Sequence, residues 1–187
     1  PYFNRWMHRC EKLGRAIRMG AKAFIFMNHY GGLGEVTGGA RLGSFEELGT
    51  PCDIPAIGIS KETGSTLKRV MRNDTVRVRI KAEHEIKDNT SWNVVAEIKG
   101  NELPEKEIIV GAHFDGHDIS VGAMDDAAGT CVVMETARAM AKREGGYRRT
   151  IKFIAFPLEE PGLFGSIAYA KDHEDEMENI DFMINLD

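Results

Sequence analysis

In the second half of this 187-residue chain, short apolar runs stop abruptly on ionisable residues. EIIVGA runs into His113-Phe114-Asp115, IKFIAFPL into Glu159-Glu160, and FMINL into Asp187. A further acidic stop, Asp125-Asp126, lies in the small-residue stretch GAMDDAAG. Between the runs, residues 127–143 place Val132, Val133, Ala137, Met140 and Ala141 at helical spacing, and a second helix is predicted from Phe164 to His173. Strand, helix, strand, helix, strand predicts an α/β domain with a mixed, mostly parallel sheet flanked by helices. In such sheets ligands gather at the carboxyl ends of the strands. Carboxylates and an imidazole delivered to one edge would make a pocket for divalent metal.

The strands read as NVVAEI, IIVGAHFD, TIKFIAFPL and DFMINLD. TIKFIAFPL is apolar almost throughout, as expected of a strand covered on both faces. The short GNELPEK connection predicts a turn joining the first two strands as an antiparallel hairpin.

The front of the chain reads as a separate unit, with a junction at Asp88-Asn89-Thr90 that divides it into residues 1–87 and 88–187. A helix from Cys10 to Met19 stops at Gly20, and AKAFIFMN and DIPAIGIS are short strands. A helix from Lys61 to Met71 has Leu67, Val70 and Met71 as its apolar stripe, and residues 76–80 alternate like a half-buried strand that continues to Ile86. The glycine-rich residues 31–50 form no phosphate-cradling motif and are expected to be an irregular loop.

Composition narrows the function. Hydrophobic residues make 42% and charged residues 28% of the chain, which is ordinary for a globular protein. The net charge of −5 argues against a nucleic-acid partner, and the basic stretch Lys61, Lys68, Arg69, Arg72, Arg77, Arg79 and Lys81 reads as a solvated face. No apolar run reaches membrane-spanning length. Cys10, Cys52 and Cys131 form neither a disulfide framework nor a zinc ribbon, and Cys131 is expected to be a buried small hydrophobe.

At the strand ends each residue has a plain reading beside the chemical one. His113 reads as a metal ligand with Asp115 as the carboxylate that orients its ring, because residues two apart on a strand face the same way; alone, HxD is more often a hydrogen-bonded polar strand end. Asp125 and Asp126 repel one another unless a cation lies nearby, so Asp125 could bridge two metals, whereas Asp126 can also cap the following helix. Of Glu159 and Glu160, one can ligate metal and the other accept a proton from metal-bound water; an acidic turn is the plain alternative. Asp187 can ligate or be a chain-terminal charge. One histidine among carboxylates suits zinc, with cobalt or manganese as substitutes.

His113-Phe114-Asp115, GAMDDAAG, LEEPGLFGS and INLD together resemble the zinc aminopeptidases and carboxypeptidases of peptidase family M28, over residues 93–187. The resemblance implies a zinc-peptidase-like fold and a two-zinc site that hydrolyses terminal peptide bonds. His113 and Asp187 would bind one zinc, Asp125 both, and Glu160 the other. Glu159 would be the base and Asp115 the partner of His113. It also implies a cis peptide between Asp125 and Asp126. The family's remaining ligand is a histidine beyond the NLD aspartate, so a chain ending at Asp187 is expected to be the front part of a longer protein with little activity of its own. His117 reads as lining the pocket or solvating a loop, and His173 as exposed; His8, His29 and His84 have no ligand partner in sequence. GAKAFIFMN and IPAIGISKETGSTLKRV resemble a small β-rich protease-associated domain, which leans the reading toward an exported or lumenal protein. Its glycine-rich loop would overhang the site and limit substrate size. The implied partner is a peptide, with a carboxypeptidase, another amide hydrolase or a non-catalytic receptor-like module as alternatives.

Overall fold

A computed structural model describes residues 9–27, 54–81, 88–117 and 120–187. The chain divides into two compact units, Pro1–Lys87 and Asp88–Asp187. The glycine-rich stretch at 31–50, the continuation of residues 76–80 to Ile86, Cys52, and His8, His29 and His84 lie outside the described residues.

In the first unit, α1 (Arg9–Arg18), β1 (Phe24–Met27), β2 (Ala56–Ile59) and α2 (Lys61–Val70) follow in order. Gly20 ends the first helix with φ +84°, a conformation that only glycine adopts without strain, and its N–H returns to the carbonyl of Ile17 at 2.8 Å. β1 and β2 pair in parallel, Phe24 opposite Ala56. The hydroxyl of Ser60 accepts from the N–H of Thr63 at 3.2 Å and so caps α2. The expected stripe on α2 is corrected: Val70 and Met71 are exposed, Leu67 is half-buried, and the buried residue is Gly64 against the side chain of Met27. Among the described residues, 76–80 form no strand.

The second unit is built on a four-stranded sheet of β3 (Val94–Ile98), β4 (Leu103–His113), β5 (Arg149–Phe156) and β6 (Ile180–Leu186), in the order β3-β5-β4-β6. The helix α3 (Ala128–Met140) joins β4 to β5, and α4 (Phe164–Asp172) with a 3₁₀ turn at Glu174–Asn179 joins β5 to β6. β4 runs parallel to both β5 and β6, and β3 runs antiparallel to β5.

The antiparallel hairpin of β3 and β4 is therefore overturned, since β5 lies between them. The reason is burial. From Thr150 to Phe156 every residue of β5 is buried except half-buried Ala155, so β5 needs a neighbour at each edge. β3, whose Val94 and Val95 are exposed, suits the rim. Nor is GNELPEK all turn: β4 already begins at Leu103, and Pro104 falls in the register shift between Leu103 and Glu107, where its missing N–H disturbs the ladder least.

One core cluster joins Ala112, Ile151 and Phe153 of the sheet to Val133 of α3. Another joins Ile109, Ile154 and Phe156 to Tyr169 of α4. Phe156 and Tyr169 meet edge to face with ring centroids 6.0 Å apart, a favoured aromatic geometry. Gly165 lies where a Cβ would collide with the carbonyl of Pro157, so the start of α4 can approach the end of β5 only as glycine. Cys131 is exposed rather than buried, because α3 turns Val133 and not Cys131 toward the sheet.

Candidate metal centre

Parallel pairing brings the carboxyl ends of β4, β5 and β6 to one edge. His113 pairs with Phe156 in register, and Ala112 pairs with Leu186, so the next residue, Asp187, arrives beside His113. His113 is 3% exposed. Its Nε2 lies 3.1 Å from Oδ1 of Asp125 and 4.0 Å from Oδ1 of Asp187. One donor atom from each of His113, Asp125 and Asp187 lies within 4.8 Å of the others, close enough to share one ion.

The approach to α3 sets Asp125 in place. Asp125 (φ −121°, ψ 93°) and Asp126 (φ −131°, ψ 38°) leave helical geometry, and the peptide between them is cis. The two aspartates divide their roles. Asp125 is exposed and faces the histidine, while Asp126 is 1% exposed and serves the backbone. Its carboxylate accepts from the N–H of Gly129 at 2.9 Å and from the N–H of His113 at 3.2 Å. A Cβ at residue 129 would strike that carboxylate, which requires the glycine. The hydroxyl of Thr130 donates to the carbonyl of His113 at 2.6 Å, so the histidine's backbone is held at both its N–H and its C=O.

Asp115 lies 3.4 Å from Nδ1 of His113, and that buried nitrogen has no hydrogen bond of good geometry. With the proton on Nδ1, facing Asp115, Nε2 turns a lone pair to the cluster. The hydrogen bonds of Asp115 go elsewhere: it accepts from the N–H of Glu159 at 3.0 Å and of Glu160 at 3.2 Å. The turn it grips is strained, with Leu158 (φ 57°) and Leu163 (φ 61°) both left-handed. This second task of Asp115 had no signal in the sequence, because it depends on two strand ends meeting.

Electrostatics follow from the crowding of acids. Burial raises the pKa of Glu159, and the charges of Asp187, Glu160 and Asp115 raise it further against the opposing pull of His113. Burial lowers the pKa of His113, but Glu159, Asp115, Asp126 and Asp187 outweigh it and raise the net value. A cluster that draws a proton onto a buried imidazole is one that attracts cations.

Glu160 is not among the three residues whose donors converge. It is half-buried on the Glu159-Glu160 turn, and its Oε2 lies 2.8 Å from Nε2 of His117. That pair was not foreseen. His173 is also not simply exposed: it stacks on Tyr169 with centroids 4.0 Å apart.

Residues 93–187 match the model of peptidase family M28. The chain is 33% identical to aminopeptidase YwaD of Bacillus subtilis over 180 residues, covering 95% of this chain and 36% of the relative. A peptidase M28 precursor from Shewanella amazonensis superposes with a TM-score of 0.73 at 27% identity, covering 96% of this chain and 40% of that one. A structure described as a zinc aminopeptidase from Bacillus subtilis superposes with a TM-score of 0.67 at 29% identity, covering 97% and 41%. The chain thus spans well under half the length of the proteins it matches.

Proposed function

The chain belongs to peptidase family M28, and from that premise we propose that it carries most of the active site of a metal-dependent exopeptidase, an aminopeptidase that hydrolyses terminal peptide bonds. The carrying observation is the convergence of His113, Asp125 and Asp187 beside Glu159. The donor set fits the cofactor: one imidazole among carboxylates suits zinc, and the crowded negative charge calls for a cation.

In this reading His113, Asp125 and Asp187 would hold one zinc, and Asp125 and Glu160 would serve a second. When bound, zinc polarises the substrate carbonyl and lowers the pKa of water to roughly 7. The chain's own residues do the rest. Asp115 keeps the imidazole of His113 oriented and fixes the backbone of Glu159 and Glu160. Glu159 takes the proton of the attacking water and returns it to the leaving amine. Its raised pKa makes it a stronger base than an ordinary glutamate, as that role needs. The first unit is read as a protease-associated domain; its support is that GAKAFIFMN and IPAIGIS supply the paired strands β1 and β2.

The test uses the full-length protein. Chelation should abolish peptide hydrolysis and added zinc should restore it; hydrolysis indifferent to chelator would end the reading. Peptides blocked at the amino end should resist and those blocked at the carboxyl end should be cut. The opposite pattern would make it a carboxypeptidase.

A further inference from the structure

The segment Asp115–His117 meets the Glu159-Glu160 turn at three points. Asp115 accepts from both backbone N–H groups, at 3.0 and 3.2 Å. Two residues on, Nε2 of His117 meets Oε2 of Glu160 at 2.8 Å. The backbone of the turn is thus fixed by one side chain and the carboxylate of Glu160 by another, both from a single short stretch.

That stretch is itself held. The carbonyl of His117 accepts from the N–H of Ser120 at 2.8 Å. A Cβ on Gly116 would come within 3.3 Å of the Cα of Gly122 and 3.4 Å of the carbonyl of Asp125, so the loop lies directly against the strand of chain that presents Asp125. His117 therefore approaches Glu160 from a constrained backbone.

A histidine–glutamate pair on an open surface would mean little, since such pairs contribute about 0–1 kcal/mol. This one is not open on both sides. The side chain of His117 is 47% exposed, but that of Glu160 is only 13% exposed. A shielded carboxylate with one oxygen bonded to an imidazole has a fixed direction.

We propose that His117 is a positioning residue for the second metal: its imidazole N–H holds Oε2 of Glu160 and aims the carboxylate at the ion. It does for Glu160 what Asp115 does for His113. The proposal rests on the reading of Glu160 as a metal ligand. Partners of this kind usually alter metal affinity 10–100-fold when removed.

The experiment measures zinc stoichiometry and affinity by chelator competition in the full-length protein, for wild type, Glu160→Gln, His117→Ala and His117→Gln. Glu160→Gln should weaken one of the two ions. His117→Ala should weaken the same ion by about 10–100-fold and leave the other within about twofold. His117→Gln, whose amide can donate from a similar place, should recover most of the loss. Melting temperatures of the His117 variants should match wild type, because the side chain is half exposed. Unchanged zinc affinity in His117→Ala, with an ion weakened in Glu160→Gln, overturns the proposal alone. Failure of His117→Gln to recover affinity overturns it in favour of direct ligation by His117. Unaltered zinc binding in Glu160→Gln overturns the underlying assignment instead.

Discussion

Two charged clusters sit on the same four strands, and their difference separates structure from chemistry. At the carboxyl edge, the imidazole of His113 is surrounded by the carboxylates of Asp115, Asp125 and Asp187, with Glu159 close enough to act on it electrostatically. Farther down the sheet, Lys152 of β5 reaches Glu107 of β4 at 2.6 Å and Glu176 at 3.8 Å. The lower cluster has a permanent cation, closely paired with Glu107. Among the described residues the upper one has an imidazole and no permanent cation, and it is heavily acidic. A buried ion pair reads as structure; carboxylates crowded round a buried imidazole read as a site awaiting a cation.

The largest effect is expected at the upper cluster. Glu159→Gln in the full-length protein should lower turnover by about 10²–10⁴-fold while zinc content and melting temperature stay close to wild type. Near-normal turnover would remove Glu159 from the chemistry. At the lower cluster the reverse is expected. Lys152→Met leaves half-buried Glu107 without its cation and should cost about 3 kcal/mol of stability, read by denaturant unfolding, with zinc affinity unchanged. Replacing both members, Lys152→Met with Glu107→Leu, should restore most of that loss; a double variant as unstable as the single would show that the pair is not a closed unit.

Smaller effects sharpen the boundary. Thr130→Val removes the hydroxyl bonded to the carbonyl of His113 and should cost about 1 kcal/mol in the same unfolding assay, with slightly weaker zinc binding because the histidine loses one of its backbone anchors. The last is a pH effect. Burial lowers the pKa of Lys152, but its hydrogen bond to Glu107 and the nearby negative charge outweigh that and raise it. A raised lysine pKa means that its stabilisation is complete below the unfolded value of about 10.4 and is lost as pH rises through the folded value above it. Tyr169, raised chiefly by burial, acts in the same direction. Stability should therefore sag in alkali, read by denaturant unfolding at a series of pH values; a flat profile would remove both groups from it.

The sequence made most of the second unit legible because its signals are local. An apolar run from Thr150 to Phe156 has to be a buried strand, and the alternation of such runs with helical spacing has to give an α/β layer. The acids and the histidine at the run ends then fall at one edge. The strand order was not legible. Only burial on both sides of β5 decides that it separates β3 from β4, and that is a property of the assembled sheet. Cys131 and Val70 show the same limit, since helical periodicity names a face without saying which part of it meets a neighbour.

By itself, then, the order of residues determined which side chains stand at the ends of strands and hence which atoms are available to a metal, because strand period and chain breaks are set within a few residues. Only the tertiary structure decided how they are aimed. His113 meets Asp125 and Asp187 through parallel register, Asp115 grips the turn beyond β5, and Glu160 faces His117 across 2.8 Å. Those relations join residues that are far apart along the chain, and nothing local in the sequence encodes a direction in space.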